Sequence, residues 1–323
     1  MTTTLAALDR LELALLQFTL RAEEAITLPP FSGSTLRGAF GTQFRRIACA
    51  PHCTDASTCL LVTACAYARV FEAQPAAAGY QAAGPGELPR PFIIHPPALA
   101  AIKAGETFSF HLTLVGAARQ HLPYFILTWR ELGRTGLGQG RGRFRLEQVE
   151  SHGGWTDSAP RLIYSAADEL VRNEVQPLTA ARLAARWQAS EATRLKLDFV
   201  MPLRLKTGGA FLQTAPPFAV LLGALLRRLE SLSFFYGGGS LALDYRALLE
   251  QARDIKTTAS DVRWVAWERY SQRQDQRIPW GGLLGSVEYE GTWAAFAPVL
   301  ALGELVGVGN NCTFGLGRIK LEV

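Results

Sequence analysis

The chain has 323 residues, of which 48% are hydrophobic and 19% charged, with a formal net charge of +5. That length allows two domains with cores of their own, and the composition excludes a disordered or collagen-like chain. The positive balance favours a polyanionic partner over an acidic surface. Of the 33 basic residues five are lysines (Lys103, Lys196, Lys206, Lys256, Lys320) and 28 are arginines. Arginine suits bidentate phosphate contact and stacking on bases, although a GC-rich coding sequence produces the same bias. Asp9, Arg10 and Glu12 interrupt the N-terminal apolar run, so no secretory signal is expected. Thr207 to Leu226 is uncharged but broken by Gly208, Gly209, Pro216 and Pro217, which leaves too little to cross a bilayer. A cytoplasmic protein with reduced cysteines and no membrane partner is expected.

Taken in order, Leu11 to Arg21 reads as a strand ending before Leu28-Pro29-Pro30. Ser32 or Ser34 then caps a helix with Leu36, Phe40, Phe44 and Ile47 as its apolar stripe. Arg45 faces away from that stripe, with Arg37 and Arg46 on its flanks. Cys49, Cys53, Cys59 and Cys65 follow within seventeen residues. Thiolates this close can complete a tetrahedral site, although the spacing differs from paired C-x-x-C knuckles. Structural zinc, an iron–sulfur cluster as second choice, and plain reduced thiols or an adventitious disulfide are the readings. Phe108 to Val115 alternates as a strand, and His121 to Glu131 reads as a helix. A glycine-rich loop and a basic strand come next, then His152 to Pro160 as linker. Leu195 to Leu205 reads as a strand. Pro217 opens a helix that buries Phe218, Leu221, Leu222, Leu225, Leu229 and Leu232.

An internal echo organises these elements. Gly317-Arg318-Ile319-Lys320-Leu321-Glu322 matches Gly142-Arg143-Phe144-Arg145-Leu146-Glu147 at four of six positions. Leu221 to Leu225 faintly repeats Leu36 to Phe40. Each half therefore runs strand, helix, strands, helix, strand, with a glycine-rich loop before the last strand. The fold class expected is α+β: two tandem ferredoxin-like (βαββαβ, RRM-like) domains with a C-terminal glycine-rich loop. The first spans 1–155 with the cysteine-rich insertion, 156–190 is a linker, and the second spans 191–323. Neither loop opens a helix, so this is no dinucleotide fingerprint. Such glycines either present amides to a phosphate backbone or only form a bulge or tight turn.

Several segments together resemble the CRISPR-associated RAMP endoribonucleases that process precursor RNA. They are Leu36 to Gly41, Cys65 to Glu72, Gly136 to Phe144, Met201 to Lys206, Tyr270 to Gln274, Gly281 to Val287 and Gly307 to Gly317. The resemblance implies tandem ferredoxin-like folds, binding of CRISPR repeat RNA, and cleavage without metal. Attack of a 2′-hydroxyl on the adjacent phosphate would leave a 2′,3′-cyclic phosphate and a 5′-hydroxyl. That reaction needs a base, an acid and cations for the phosphorane. Many family members carry a histidine in or just after the first helix, and this helix has none. His52 in the cysteine loop is a general base, a metal ligand or a bystander. Arg37, Arg45 and Tyr270 are the histidine-free alternative. His95, His111, His121 and His152 occupy strand or loop contexts with no evident partner. RNA contacts are expected from Arg37, Arg45, Arg46, Arg141, Arg143, Arg273, Arg277, Gly307, Gly309, Asn310, Gly315, Gly317 and Arg318. No cofactor is needed for catalysis, and zinc would be structural. Other effector subunits are further possible partners. The rivals are a catalytically silent RAMP subunit that binds guide RNA, and a metal-stabilised protein-interaction module without RNA.

Overall fold

The computed structural model describes residues 7–49, 53, 59–72, 88–156, 159–187, 193–271 and 276–322. The chain forms two compact units, 11–178 with 232–239, and 1–10 with 179–231 and 240–323.

In the N-terminal unit the strands are β1 (Leu13–Ala22), β2 (Phe92–His95), β3 (Thr107–Val115), β4 (Phe144–His152) and β5 (Arg161–Ser165). They make one antiparallel sheet in the order β2-β3-β1-β4-β5. Helices α1 (Gly33–Ala48), α2 (Ala66–Phe71) and α3 (Leu122–Thr135) complete the unit. Without β5 and α2, this is the βαββαβ order with the two central strands β3 and β1. The α1 stripe behaves as its spacing requires: Leu36, Phe40 and Phe44 are buried and Ile47 is half-buried. Ser32 holds the position before α1 but makes no side-chain cap bond; it is buried instead. Phe18 pairs with Phe110 in register and their rings stack at 5.1 Å. Trp129 of α3 lies 4.4 Å from Phe110 and 5.7 Å from Phe40, so one aromatic layer joins sheet to both helices. Such pairs add about 0.5–1.5 kcal/mol each beyond area burial.

The C-terminal unit repeats the plan. Its strands are β6 (Arg194–Leu203), β7 (Lys256–Ser260), β8 (Arg263–Ser271), β9 (Gln276–Glu290) and β10 (Ile319–Glu322). The sheet order is β7-β9-β6-β10, and β8 also pairs with β9. Helices α4 (Ala180–Ala184), α5 (Phe218–Tyr236), α6 (Tyr245–Ala252) and α7 (Ala297–Val306) accompany it. The expected face of α5, Phe218, Leu221, Leu222, Leu225, Leu229 and Leu232, is buried throughout. The segment expected as linker carries β5 and α4, and Thr179 caps α4 by accepting from the Arg182 amide at 3.3 Å. Among the described residues no helix is long and apolar enough to cross a membrane.

Candidate nucleic-acid interface

The two glycine-rich loops start alike. Helix α3 ends at Gly136 with φ 81° and ψ 166°, and α7 ends at Gly307 with φ 73° and ψ 168°. Each loop then feeds the edge-ward strand that pairs with the first strand of its unit, β4 on β1 and β10 on β6.

The C-terminal loop is built by close backbone approach. A Cβ on Gly317 would lie 1.9 Å from the Val308 carbonyl oxygen, and one on Gly309 2.5 Å from that of Arg204. Both glycines have positive φ, so alanine is excluded on two counts. The loop's amides are largely engaged within the fold: Gly307 donates to Gly303, Asn310 to Arg204, Gly315 to Cys312 and Gly317 to Pro202, at 2.7–3.0 Å. These four amides are thus already paired inside the fold. The loop is held by packing, and Asn311 stands in the left-handed region at its tip. Cys312 is buried, donates to the Gly309 carbonyl at 3.2 Å, and acts as a small neutral residue.

Beside this loop lies an arrangement that the sequence analysis did not single out. Arg204 follows β6 and is 8% exposed. Its guanidinium sits 4.4 Å from the Phe211 ring and 5.1 Å from Trp280, and Nη1 donates to the Gly281 carbonyl at 2.5 Å. Arg269 of β8 sits 5.0 Å from Trp280 and 5.1 Å from Phe314 of the glycine loop. Trp280 and Phe314 meet edge to face at 5.4 Å. Neither arginine has an acidic partner among the described residues, and burial alone presses both guanidinium pKa values down. The signal available in the sequence was Arg204 inside Met201 to Lys206, a cation set between Leu203 and Leu205.

Some other basic residues are matched and some are exposed. Arg143 holds Glu24 through its backbone amide at 3.0 Å and Nε at 2.9 Å. Burial depresses the pKa of Arg318, and the nearby Glu304 carboxylate counters this. Glu304 is itself buried, takes the Leu321 amide at 2.9 Å and pairs with Arg186. Arg141 is exposed at a turn with φ 54°, and Arg46 is exposed in the last turn of α1.

The residues expected to act on the phosphate fall in both units. In the N-terminal unit the Arg37 guanidinium lies 5.4 Å from the Phe71 ring and that of Arg45 5.8 Å from Tyr67. Tyr67 and Phe71 stack at 5.3 Å, so α2 carries both α1 arginines on one aromatic step. Burial and Glu72 push the Tyr67 hydroxyl up to about 12, which removes it as a base. In the C-terminal unit Tyr270 and Arg277 are backbone partners across β8 and β9. His52 and Arg273 lie outside the described residues. His95 is buried with Nε2 2.9 Å from Thr113 Oγ1, and His111 lies 5.8 Å from His152. His121 is half-buried, and burial with the Arg69 charge lowers its pKa. These four are structural neighbours of the sheet or of α3.

Cys49, Cys53, Cys59 and Cys65 line one cavity with Arg45, Tyr67 and Glu72. Burial first, then the Cys65 and Cys53 thiols, pushes the Cys49 thiol up to about 12. Among the described residues no group of three or more His, Cys, Asp and Glu is arranged as it stands to hold a metal ion.

Comparison with known proteins gives two family matches. The AF_1859_N model, an N-terminal domain, matches residues 11–176. The model of CRISPR-associated endoribonuclease Cas6 matches residues 197–319. An uncharacterised protein of Archaeoglobus fulgidus is 22% identical over 303 residues, covering 91% of this chain and 93% of that protein. Among solved structures, Thermus thermophilus Cas6 (TTHB231) is 14% identical with a TM-score of 0.55, covering 97% of this chain and 99% of that one. A Cas6 (TTHB231) product complex is 16% identical with a TM-score of 0.57, covering 96% and 99%. At these identities the solved structures speak to the fold.

Proposed function

The chain belongs to the AF_1859_N family through its N-terminal domain, and from the match of residues 197–319 to the CRISPR-associated endoribonuclease Cas6 model we propose that it cuts CRISPR precursor RNA within its repeats. The observation that carries this reading is the extent of the second match, which runs from within β6 to the start of β10 and takes in the whole glycine-rich loop. The reaction is attack of a ribose 2′-hydroxyl on the adjacent phosphate with loss of the 5′-oxygen, giving a 2′,3′-cyclic phosphate and a 5′-hydroxyl. No catalytic metal takes part. Arg37 and Arg45, oriented by their aromatic step, supply positive charge to the pentacoordinate phosphate. Tyr270 moves the proton, with His52 as the competing base. Arg46, Arg141, Arg143, Arg273, Arg277 and Arg318 provide the wider basic surface. Cognate repeat RNA is the partner, and effector subunits receive the product.

Structural zinc belongs to the same proposal. The four thiols already share a cavity, and an ion entering it would displace their protons and draw the sulfurs around one centre. Zinc there would fix the chain between α1 and α2 and take no part in cleavage.

The test is incubation of the purified chain with labelled repeat RNA in EDTA. Cleavage that survives EDTA and stops on 2′-deoxy substitution at the cut is the expected result. The absence of histidine from α1 favours a second reading, a silent RNA-binding subunit. Tight repeat binding without cleavage would establish it.

A further inference from the structure

Two cations in the C-terminal unit are held by aromatic rings, and Arg204 by one carbonyl, with no carboxylate beside them among the described residues. Arg204 and Arg269 each keep a buried Nε with no hydrogen-bond partner. Both lack a carboxylate among the described residues, whereas Arg21, Arg143 and Arg186 all have one. A guanidinium nitrogen buried without a partner carries a desolvation cost that an arriving anion would offset. The surroundings add a second property. Phe211, Trp280 and Phe314 are only half-buried, and Lys206 Nζ stands 4.8 Å from Phe211. Aromatic surface next to unpaired cations accepts a π-face and a phosphate together.

We propose that Arg204, Arg269, Phe211, Trp280 and Phe314 form a subsite for one unpaired ribonucleotide, its phosphate on the two guanidiniums and its base against the half-buried rings. The proposal rests on the reading that the chain binds RNA, and adds where one nucleotide must be single-stranded. A paired base is already stacked on its neighbours and cannot be offered to this surface. The subsite therefore selects a single-stranded position flanking the cut and contributes little to duplex binding.

The test uses the full chain and two fluorescein-labelled RNAs of equal length, one single-stranded and one a blunt duplex, each titrated at several salt concentrations. Trp280→Ala should weaken the single strand about 10- to 100-fold and leave the duplex nearly unchanged. Arg269→Gln should lower the salt slope for the single strand by about one. Trp280→Phe should restore most of the affinity, which a purely structural defect would not explain. Circular dichroism and the urea midpoint confirm that each variant is folded. Equal losses on both RNAs, or unchanged affinity and salt slope in folded variants, would overturn the subsite. Failure of the wild-type chain to bind either RNA would instead remove the functional reading beneath it.

Discussion

Glu322 repeats in the C-terminal unit what Glu147 does in the N-terminal one. Glu147 pairs with Arg145 two residues before it at 3.3 Å and with Arg21 of the first strand at 2.6 Å. Glu322 pairs with Lys320 two residues before it at 2.7 Å and with Lys196 of the first strand at 3.0 Å. The basic character of these strands thus serves strand pairing within each sheet.

A pH dependence follows from that arrangement. Lys320 first, then Lys196, holds the Glu322 carboxyl down to about 2 from its ordinary 4.5. A depressed carboxyl contributes stability above its unfolded pKa and loses it as pH falls through the folded one. Glu322→Gln should therefore lower the urea midpoint at pH 7, with the difference from wild type shrinking steadily between pH 4.5 and 2. A difference independent of pH would show that the carboxylate charge is not the cause.

If Arg143 meets RNA, Glu24 competes with the phosphate for it. The Arg143 side chain approaches the Glu24 carboxylate through Nε at 2.9 Å and Nη2 at 2.8 Å. Glu24→Gln should strengthen repeat binding at low salt by about two- to fivefold if Arg143 meets phosphate, since a charge-assisted rival is removed. Arg143→Gln should then cancel the gain in the double variant, as measured by fluorescence anisotropy.

Gly317→Ala meets a backbone wall. With φ 69° and a Cβ that would stand 1.9 Å from a carbonyl oxygen, the loop must shift. A loss of about 2–4 kcal/mol is expected from strain and displacement, readable by equilibrium urea unfolding. Gly38→Ala, where a Cβ meets nothing within 4 Å, is the control and should be neutral or slightly stabilising.

Zinc is decided by mass. Anaerobically purified protein should carry one ion per chain by elemental analysis, and Cys49→Ser with Cys65→Ser should abolish it. Removal should lower thermal stability and leave metal-free cleavage of repeat RNA intact at a temperature where the apo chain is folded. An absence of metal in the anaerobic preparation would reduce the cluster to packed thiols.

The chemistry separates by kinetics. If Arg45 and Tyr270 act on the transition state as proposed, Arg45→Gln and Tyr270→Phe should each lower single-turnover cleavage about 100-fold or more with affinity changed far less. His52→Ala is the comparison. Loss of cleavage there with normal binding and metal content would transfer the base role to His52.

The fold was legible because its signals are local and repeated. The spacing of Leu36, Phe40 and Phe44 sets α1, the alternation from Phe108 to Val115 sets β3, and the echo ending in Glu147 and Glu322 marks two units. The candidate site was less legible because charge in a sequence carries no sign of its partner. Arg143 and Arg204 look alike in one dimension; one faces Glu24 and the other an indole. The glycines are a related case. Their spacing announced close approach, and the approaching group is backbone of the same chain. The pairing of Arg269 with Phe314 spans 45 positions and depends on β8, β9 and the last loop converging, which no window of sequence contains.

The contact between Gly309 and the Arg204 carbonyl has an evolutionary consequence. The amide of Asn310 donates to that same carbonyl at 2.8 Å, so loop and strand grip one peptide group while its side chain reaches the aromatic rings. The loop's demand falls on the backbone carbonyl, which any residue at this position supplies, and not on the guanidinium. Among relatives, a chain that replaces the arginine still needs the glycine, so the glycine should outlast the arginine.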